Sequence, residues 1–249
     1  MFSYPFKIIT TSWDDGHELD LKLALLLKKY NIKATFYPAS RNREWSPKDL
    51  LTDTQIKKLN QDFEIGAHTL THPHLTQISL NTANQEIIGS KQYLEKLLHQ
   101  PVNMFCYPSG DYNQSIINLV QKAGFIGART IKPLQSAPPK NYYEFATTMH
   151  TVYRKINYSF RLALINNPRF IPFIFTKDWV TISCKTFDIV RKHGGIWHFW
   201  GHSWQLEVEN FWQPLETVLK YISHQHDVHY LSNGQTIEYL KNHDKNHLP

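Results

Sequence analysis

Two adjacent aspartates and two spaced histidines are the residues of this sequence best suited to chemistry. Asp14 and Asp15 stand side by side before Gly16, and such close like charges repel unless something positive holds them. His68 and His72 are four residues apart, a spacing that lets both imidazoles face one point. With one carboxylate they form the N,N,O ligand set of a catalytic zinc that keeps a position open for water. This favours a metal site, although a spaced histidine pair alone is often a pair of surface or hydrogen-bonded side chains.

The elements that must position these residues alternate between strands and helices. Runs rich in β-formers predict strands at Lys7–Trp13, Lys33–Ala39, Phe63–Ala67, Val102–Tyr107, Phe125–Arg129, Gly195–Gly201 and Val228–Leu231. Helical periodicity predicts helices at Leu19–Tyr30, Leu51–Asn60, Asn84–His99, Gln114–Ala123, Thr181–His193 and Glu209–His224. Residues 131–178, with proline pairs and aromatics, receive no firm assignment. Repeated strand-helix units predict an α/β fold, a distorted or incomplete (β/α) barrel with about seven parallel strands. We expect one domain over residues 1–249, a length that such barrels reach.

Polar clusters follow the ends of four predicted strands. They are Asp14–Asp15, His68–His74, Tyr107–Asp111 and His202–Ser203. In barrels of this class the loops after the strands form the active-site face, so clusters distant in sequence can converge there. Pro73 favours a turn rather than a helix through His72, because the residue before proline avoids the α region. The clusters therefore predict one cleft at the C-terminal rim.

Composition excludes several classes of protein. Charged residues make up 19% and aromatic residues 14%, which is typical of a folded chain. The formal charge of +6 suits an anionic ligand, but Lys and Arg are scattered, so we expect no nucleic-acid partner. Two distant cysteines, Cys106 and Cys184, suggest neither a disulfide framework nor a cysteine zinc site. With no signal-peptide pattern and no transmembrane-length apolar run, the expected location is cytoplasmic.

Four segments resemble the motifs of the polysaccharide deacetylase (carbohydrate esterase) family. "TSWDDG" is similar to its Thr-Phe-Asp-Asp-Gly signature, and "HTLTH" to its His-Ser/Thr-x-x-His motif. "FCYPSGDYN" resembles its Arg-Pro-Pro-Tyr-Gly loop followed by Tyr-Asn, and "IWHFWGHSW" stands where the family has a strand ending in a catalytic histidine. The segments occur in the family's order across residues 10–203, and the first two are the specific ones.

The resemblance implies a metal-dependent N-deacetylase and gives each matched residue a role. Asp15, His68 and His72 would bind one divalent ion, with Zn²⁺ the expected metal. Asp14 would be the general base for the water that attacks an N-acetyl carbonyl. The backbone N–H of Ser109 would help to hold the oxyanion. The products are acetate and a free amine.

The late motif would supply the acid that protonates the departing amine. His202, at the end of the predicted strand, is our choice, and His198 is the alternative. At least one of the tryptophans at 197, 200 and 204 must be core, while another could stack on a sugar ring. Trp200 and Tyr107 are the residues that we expect to contact substrate.

The sequence departs from the family pattern in two places. Cys106 replaces the third-motif arginine that orients the base in the family. Arg129 ends the next predicted strand, so it could reach the outer oxygen of Asp14 in its place, through one bond or two. It could also be a solvated residue or an anion clamp. The Asp-Trp motif has a doubtful match at Asp178–Trp179, where a helix N-cap is the better interpretation.

Substrate identity stays open at this point. We expect an N-acetylated amino sugar or glycan precursor, which the positive charge would suit if it is phosphate-linked. The alternatives are a metal-assisted amidohydrolase acting on a non-sugar amide or imide, and a non-catalytic carbohydrate-binding descendant. The replaced arginine motivates the second alternative.

Overall fold

The structure is a computed structural model that describes residues 4–151 and 178–245. The strands are β1 Lys7–Asp15, β2 Ala34–Pro38, β3 Glu64–Ile65, β4 Met104–Cys106, β5 Gly127–Arg129, β6 Met149–His150, β7 Gly195–Gly201 and β8 His229–Tyr230. The helices are α1 Asp20–Lys29, α2 Asp53–Leu59, α3 Leu80–Leu98, α4 Gln114–Lys122, α5 Trp179–His193, α6 Ser203–Val208, α7 Trp212–Ile222 and α8 Asn233–Lys245.

All ladders between these strands are parallel, which confirms the predicted α/β class. One sheet has the order β3-β2-β1-β7-β6, and β8 pairs with the start of β1 on the edge that β2 uses further along. Strands β4 and β5 form a second, two-stranded sheet. Single parallel bridges join Ala67 to Phe105 and Arg129 to Phe145. Through the described residues the ladder is thus interrupted, as the prediction of a distorted or incomplete barrel allows.

The centre of the large sheet is β1 with its neighbour β7. All residues of β7 are buried, and so are those of β1 after Lys7. Strands covered on both faces read as nearly continuous apolar or β-branched runs, and "KIITTSW" and "GIWHFW" have that composition. Because parallel strands end at the same edge, the residues after β1 and β7 emerge beside each other.

Side chains of β7 alternate between two environments. Trp197 and Phe199 stack at a centroid distance of 5.2 Å and pack against α5, where Trp197 donates to the Thr186 hydroxyl at 3.0 Å. They are core residues, as expected of at least one tryptophan. The period of two then places His198 and Trp200 on the opposite face of β7.

The predicted helices occur with shifted ends, and the differences lie mainly in the C-terminal part. The segment predicted as one helix at Glu209–His224 is α7 alone, and α6 before it and α8 after it were not predicted. Asn210, with a φ of 57°, separates α6 from α7. In the unassigned stretch the structure places β6, whereas residues 152–177 lie outside the described residues.

The same described ranges were searched for helices of membrane-spanning character. Within residues 4–151 and 178–245, none combines the length and the apolar composition that crossing a bilayer requires. The expectations of a single domain and of a cytoplasmic location remain predictions.

Candidate active site

Strand β1 ends in two buried carboxylates on one side of the chain. Asp14 and Asp15 are each 3% exposed, and both line the same cavity. Successive strand residues normally point to opposite faces. Here Asp15 has a φ of 78° and Gly16 a φ of 72°, so the backbone turns sharply after Asp14. A side chain at Gly16 would place its Cβ 2.7 Å from Cβ of Pro38, which explains the glycine.

The loop after β3 carries His68 and His72 in a tightly held turn. Thr69 and His72 adopt left-handed φ values of 65° and 60°, so the helix that Pro73 argues against is absent from this loop. Glu86 of α3 accepts hydrogen bonds at 2.9 Å from the backbone N–H of Thr71 and of the residue before it. It also accepts one from the Thr71 hydroxyl at 2.7 Å. This buried carboxylate stabilises a backbone that is unfavourable by itself.

Three ligand atoms converge on one point. Oδ1 of Asp15 lies 3.8 Å from Nε2 of His68 and 3.5 Å from Nε2 of His72. Nδ1 of His68 lies 2.9 Å from the Cys106 carbonyl oxygen, and Nδ1 of His72 lies 2.8 Å from Oε1 of Glu44. These acceptors place the proton of each neutral ring on Nδ1. The Nε2 lone pairs are then free to bind a cation beside Asp15.

The unsatisfied atoms of this cluster fit a divalent metal. Oδ2 of Asp15 accepts a hydrogen bond from Nε1 of Trp204 at 2.8 Å, whereas its buried Oδ1 has no hydrogen-bond partner among the described residues. Burial, followed by the charge of His72, lowers the pKa of His68 to about 4. A neutral imidazole is the form that binds metal. Two histidines and one carboxylate are also the donor set of catalytic zinc sites.

A second group of potential ligands overlaps the first. Ligand atoms of Asp14, His68 and Cys106 also lie within 4.8 Å of one another. Burial raises the pKa of the Cys106 thiol well above its usual range, and metals bind the thiolate. In addition, Oδ1 of Asp14 is already paired with Arg129. The set formed by Asp15, His68 and His72 is therefore the better fit.

Asp14 is held by a buried arginine. Nη2 of Arg129 contacts its Oδ1, and the Cys106 thiol lies 3.7 Å from its Oδ2. Burial alone would raise the pKa of Asp14, but the charges of Arg129, then His68 and His202, outweigh it and lower the pKa to about 2. Asp14 is therefore ionised at neutral pH.

Arg129 occupies the place from which the sequence predicted this contact. It is opposite Cys106 in the β4–β5 ladder. It therefore projects from the strand next to the one that carries the third motif, whose arginine is replaced by Cys106 here. The guanidinium carbon lies 4.4 Å from the ring centroid of Trp200 and 5.7 Å from that of Tyr37. Nε and Nη1 have no hydrogen-bond partner among the described residues, so the contact with Asp14 uses one nitrogen. Full burial excludes the solvated alternative for this residue.

His202 lies at the C-terminal rim, where the sequence predicts the general acid of the fourth motif. It follows β7, lines the cavity, and its Nε2 is 3.9 Å from Oδ2 of Asp15. Its Nδ1 lies 3.0 Å from Oε1 of Gln205, an acceptor that leaves Nε2 facing the carboxylate. Sequence reasoning did not find Gln205, which is an ordinary residue of a short helix.

His198, the alternative general acid, is a fully buried residue within β7. Its Nε2 is 2.9 Å from the Ser12 hydroxyl, and its Nδ1 is 3.1 Å from the Ala146 carbonyl oxygen. Burial, followed by the charge of Arg129, lowers the pKa of His198 to about 3. It does not line the cavity. Of the two histidines, His202 is the one that lines the cavity.

The cavity above these groups has a volume of about 200 Å³. Tyr107, Ser109 and Trp200 line it, and their contact with a substrate stays a prediction. Ser109 has a left-handed φ of 54° in the turn after β4. Tyr107 donates its hydroxyl hydrogen to the Tyr143 carbonyl oxygen at 3.0 Å, so its ring contributes a wall rather than a free hydroxyl.

Asp178 is a helix cap, as the preferred interpretation had it. Its carboxylate accepts from the backbone N–H of Val180 at 3.2 Å and of Thr181 at 3.0 Å. Trp179 is buried against Phe199. The pair thus begins α5, and neither residue lines the cavity.

Glu44 is the main site residue that sequence reasoning missed. It contacts His72 from the segment after β2, "RNREWSPKD". The signal was available, because a polar segment that follows a strand of the same parallel sheet belongs to the same rim.

Comparison with known proteins agrees with the geometry. A family model described as polysaccharide deacetylase matches residues 3–128. A peptidoglycan-N-acetylglucosamine deacetylase of Bacillus cereus is 26% identical over 130 residues, which are 50% of this chain and 45% of that protein. The chain thus spans about half the length of this curated relative.

Two solved structures extend the likeness. The Streptococcus pyogenes deacetylase PplD in complex with acetate has a TM-score of 0.51 and 27% identity, covering 55% of this chain and 62% of that one. The Xyl-CE4 domain of a multidomain xylanase from the hindgut metagenome of Trinervitermes trinervoides has a TM-score of 0.60 and 13% identity. That alignment covers 95% of this chain and 92% of the domain, and at this identity it establishes the fold alone.

Proposed function

This chain belongs to the polysaccharide deacetylase family, and on that premise we propose that it is a metal-dependent hydrolase that removes an N-acetyl group from an amino sugar. The observation that carries the proposal is the buried, unpartnered Oδ1 of Asp15 facing Nε2 of His68 and of His72. These three residues would hold the ion, and Zn²⁺ is the metal that we expect. A divalent ion there would acidify water and polarise the acetyl carbonyl.

Asp14 is the proposed general base. Its ionised carboxylate lines the cavity, and Arg129 holds Oδ1. Oδ2 has only the weak thiol donor of Cys106 at 3.7 Å, so it is the oxygen that would accept a proton from the attacking water. A positioned base of this kind contributes about 10² to 10⁴ in rate. Arg129 is in this proposal a positioning residue, since it acts through Asp14.

His202 is the proposed general acid. With Nδ1–H donated to Gln205, a second proton on Nε2 faces the cavity and can be given to the leaving amine. The backbone N–H of Ser109 is the proposed donor to the developing oxyanion. Tyr107 and Trp200 would bound the substrate from the sides.

Acetate release tests the function. Zn²⁺-loaded protein incubated with N-acetylglucosamine oligomers should release acetate and free amine, lose activity with a chelator, and regain it when Zn²⁺ is returned. Metal-loaded protein that opens cyclic imides but releases no acetate would replace this proposal with a non-sugar amidohydrolase. A protein that binds the oligomers without metal or turnover would replace it with a carbohydrate-binding role.

A further inference from the structure

We propose that Glu44 is a positioning residue of the metal centre, fixing the ring of His72 and strengthening the binding of the ion. The inference rests on the proposed function, because it concerns the same ligand set. Glu44 lies outside all four motifs, in residues 40–50, which we call the wall segment.

The contact has the geometry of a carboxylate that supports a metal-binding histidine. Oε1 of Glu44 lies 2.8 Å from Nδ1 of His72, while Nε2 of the same ring points to Asp15. The side chain of His72 is 7% exposed and that of Glu44 is 58% exposed. A carboxylate at Nδ1 fixes the tautomer and ring orientation and makes Nε2 a stronger donor to metal.

The backbone of the wall segment is fixed where this contact begins. The backbone N–H of Arg41 donates to the Leu70 carbonyl oxygen at 2.8 Å, which joins the segment to the histidine loop two residues before His72. Oδ1 of Asn42, a buried residue, accepts the backbone N–H of Glu44 at 3.0 Å. These hydrogen bonds fix the backbone on both sides of the contact, so the partly exposed Glu44 side chain extends to His72 from an anchored segment.

The two histidine ligands differ in what supports them. Nδ1 of His68 faces the backbone carbonyl of Cys106, which no side-chain substitution removes. Nδ1 of His72 faces the carboxylate of Glu44, so the strength with which Nε2 of His72 binds metal depends on residue 44. The wall segment also reaches the third ligand, because Trp45 lies 5.2 Å from Trp204, ring to ring, and Trp204 donates to Asp15.

Zinc affinity measured by competition with a chromogenic chelator tests the inference. Glu44→Ala should weaken Zn²⁺ binding by about 10-fold to 100-fold, the usual cost of losing such a partner. Glu44→Gln keeps an acceptor oxygen and loses the charge, so its affinity should fall between the two. The matched control is Glu216→Gln, which removes a half-buried carboxylate that pairs with Lys29 and Tyr30 outside the cavity, and this variant should bind Zn²⁺ like the wild type.

A second readout needs no metal. Nitrogen chemical shifts of metal-free protein should place the His72 proton on Nδ1 in the wild type and shift the ring toward the other tautomer in Glu44→Ala. Wild-type affinity and an unchanged tautomer in a folded Glu44→Ala protein would overturn the inference and leave the proposed function intact. A wild-type protein that binds no Zn²⁺ would overturn both.

Discussion

The Asp15 side and the Asp14 side of the candidate site are built in different ways. On the Asp15 side, His68 and His72 match the family's motif and are held by loops around a cavity. On the Asp14 side, the carboxylate is backed by a fully buried arginine from β5, and the motif position carries Cys106. The contrast teaches that metal binding needs particular donor types at particular places. On the Asp14 side, the positive charge that pairs with the carboxylate comes from the neighbouring strand and contacts one oxygen, which is the arrangement that we propose for orienting a base.

Neutralising Asp14 or Asp15 should give the largest difference in effect between the two sides. Asp15→Asn should lose the bound ion, and with it turnover, because the unpartnered ligand oxygen is neutralised. Asp14→Asn should keep the metal and lose about 10² to 10⁴ in kcat, the contribution of a general base. Elemental analysis and acetate release measure the two effects.

Asp62→Asn is the control for this pair, since it removes an exposed carboxylate paired with Lys28 outside the cavity. It should change neither metal content nor kcat. Equal metal loss in Asp14→Asn and Asp15→Asn would erase the distinction between the two sides, and full activity in Asp14→Asn would remove its role as base.

Removing Arg129, or moving the arginine to position 106, tests how the Asp14 side is built. Arg129→Ala should lower kcat by about 10-fold to 100-fold at an unchanged KM, since a hydrogen bond to a charged group contributes about 1.5–3 kcal/mol. Arg129→Lys keeps the charge but not the planar guanidinium, so its loss should be smaller. Cys106→Arg in the Arg129→Ala protein should restore part of kcat, because the two positions are paired in the β4–β5 ladder.

Steady-state kinetics on folded variants decide this case. An anion clamp would instead raise KM and leave kcat as it is. Circular dichroism and urea unfolding serve as the folding check, because Arg129→Ala leaves Asp14 buried without its partner. Wild-type kinetics in a folded Arg129→Ala protein would contradict the positioning role.

The smallest expected effect concerns the buried residue His198 and the pH dependence of the free energy of unfolding. His198 is neutral in the folded chain down to a pKa of about 3, whereas an unfolded histidine binds a proton below about 6.5. The unfolded state therefore binds more protons as pH falls, and the free energy of unfolding should drop by about 2 kcal/mol from pH 7 to pH 5 through this group. His198→Gln should remove that part of the pH dependence.

Urea unfolding of metal-free protein at both pH values measures the difference. His226→Gln, in which an exposed histidine is replaced, should keep the wild-type pH dependence. An unchanged slope in His198→Gln would mean that His198 takes up its proton in the folded chain, against its burial.

Much of this site could be predicted from sequence because its residues follow strand ends. Parallel strands bring those ends to one edge, so Asp14, His68 and His202 could be grouped without knowing any distance. Arg129 could be placed beside Cys106 for the same reason.

Other features depended on information that strand order does not carry. His198 lies within β7 and His202 directly follows it, so the period of two gives both the same expected direction, and only depth separates a core histidine from a rim histidine. Glu44 and Gln205 each make a single contact with a histidine of the site from an irregular segment or a short helix, and hydrophobic periodicity does not predict such contacts. The division between α6 and α7 depends on one left-handed residue, Asn210.

The pairing of Cys106 with Arg129 has a consequence for how such chains are classified. A filter that requires arginine in the third motif would discard this sequence as inactive, although the guanidinium reaches the same carboxylate from one strand away. Screening by ladder position, with cysteine or another small residue in the motif and arginine at its cross-strand partner, would recover it. If Arg129 orients Asp14 as we propose, sorting genomes by motif letters alone would undercount chains that supply this arginine from the neighbouring strand.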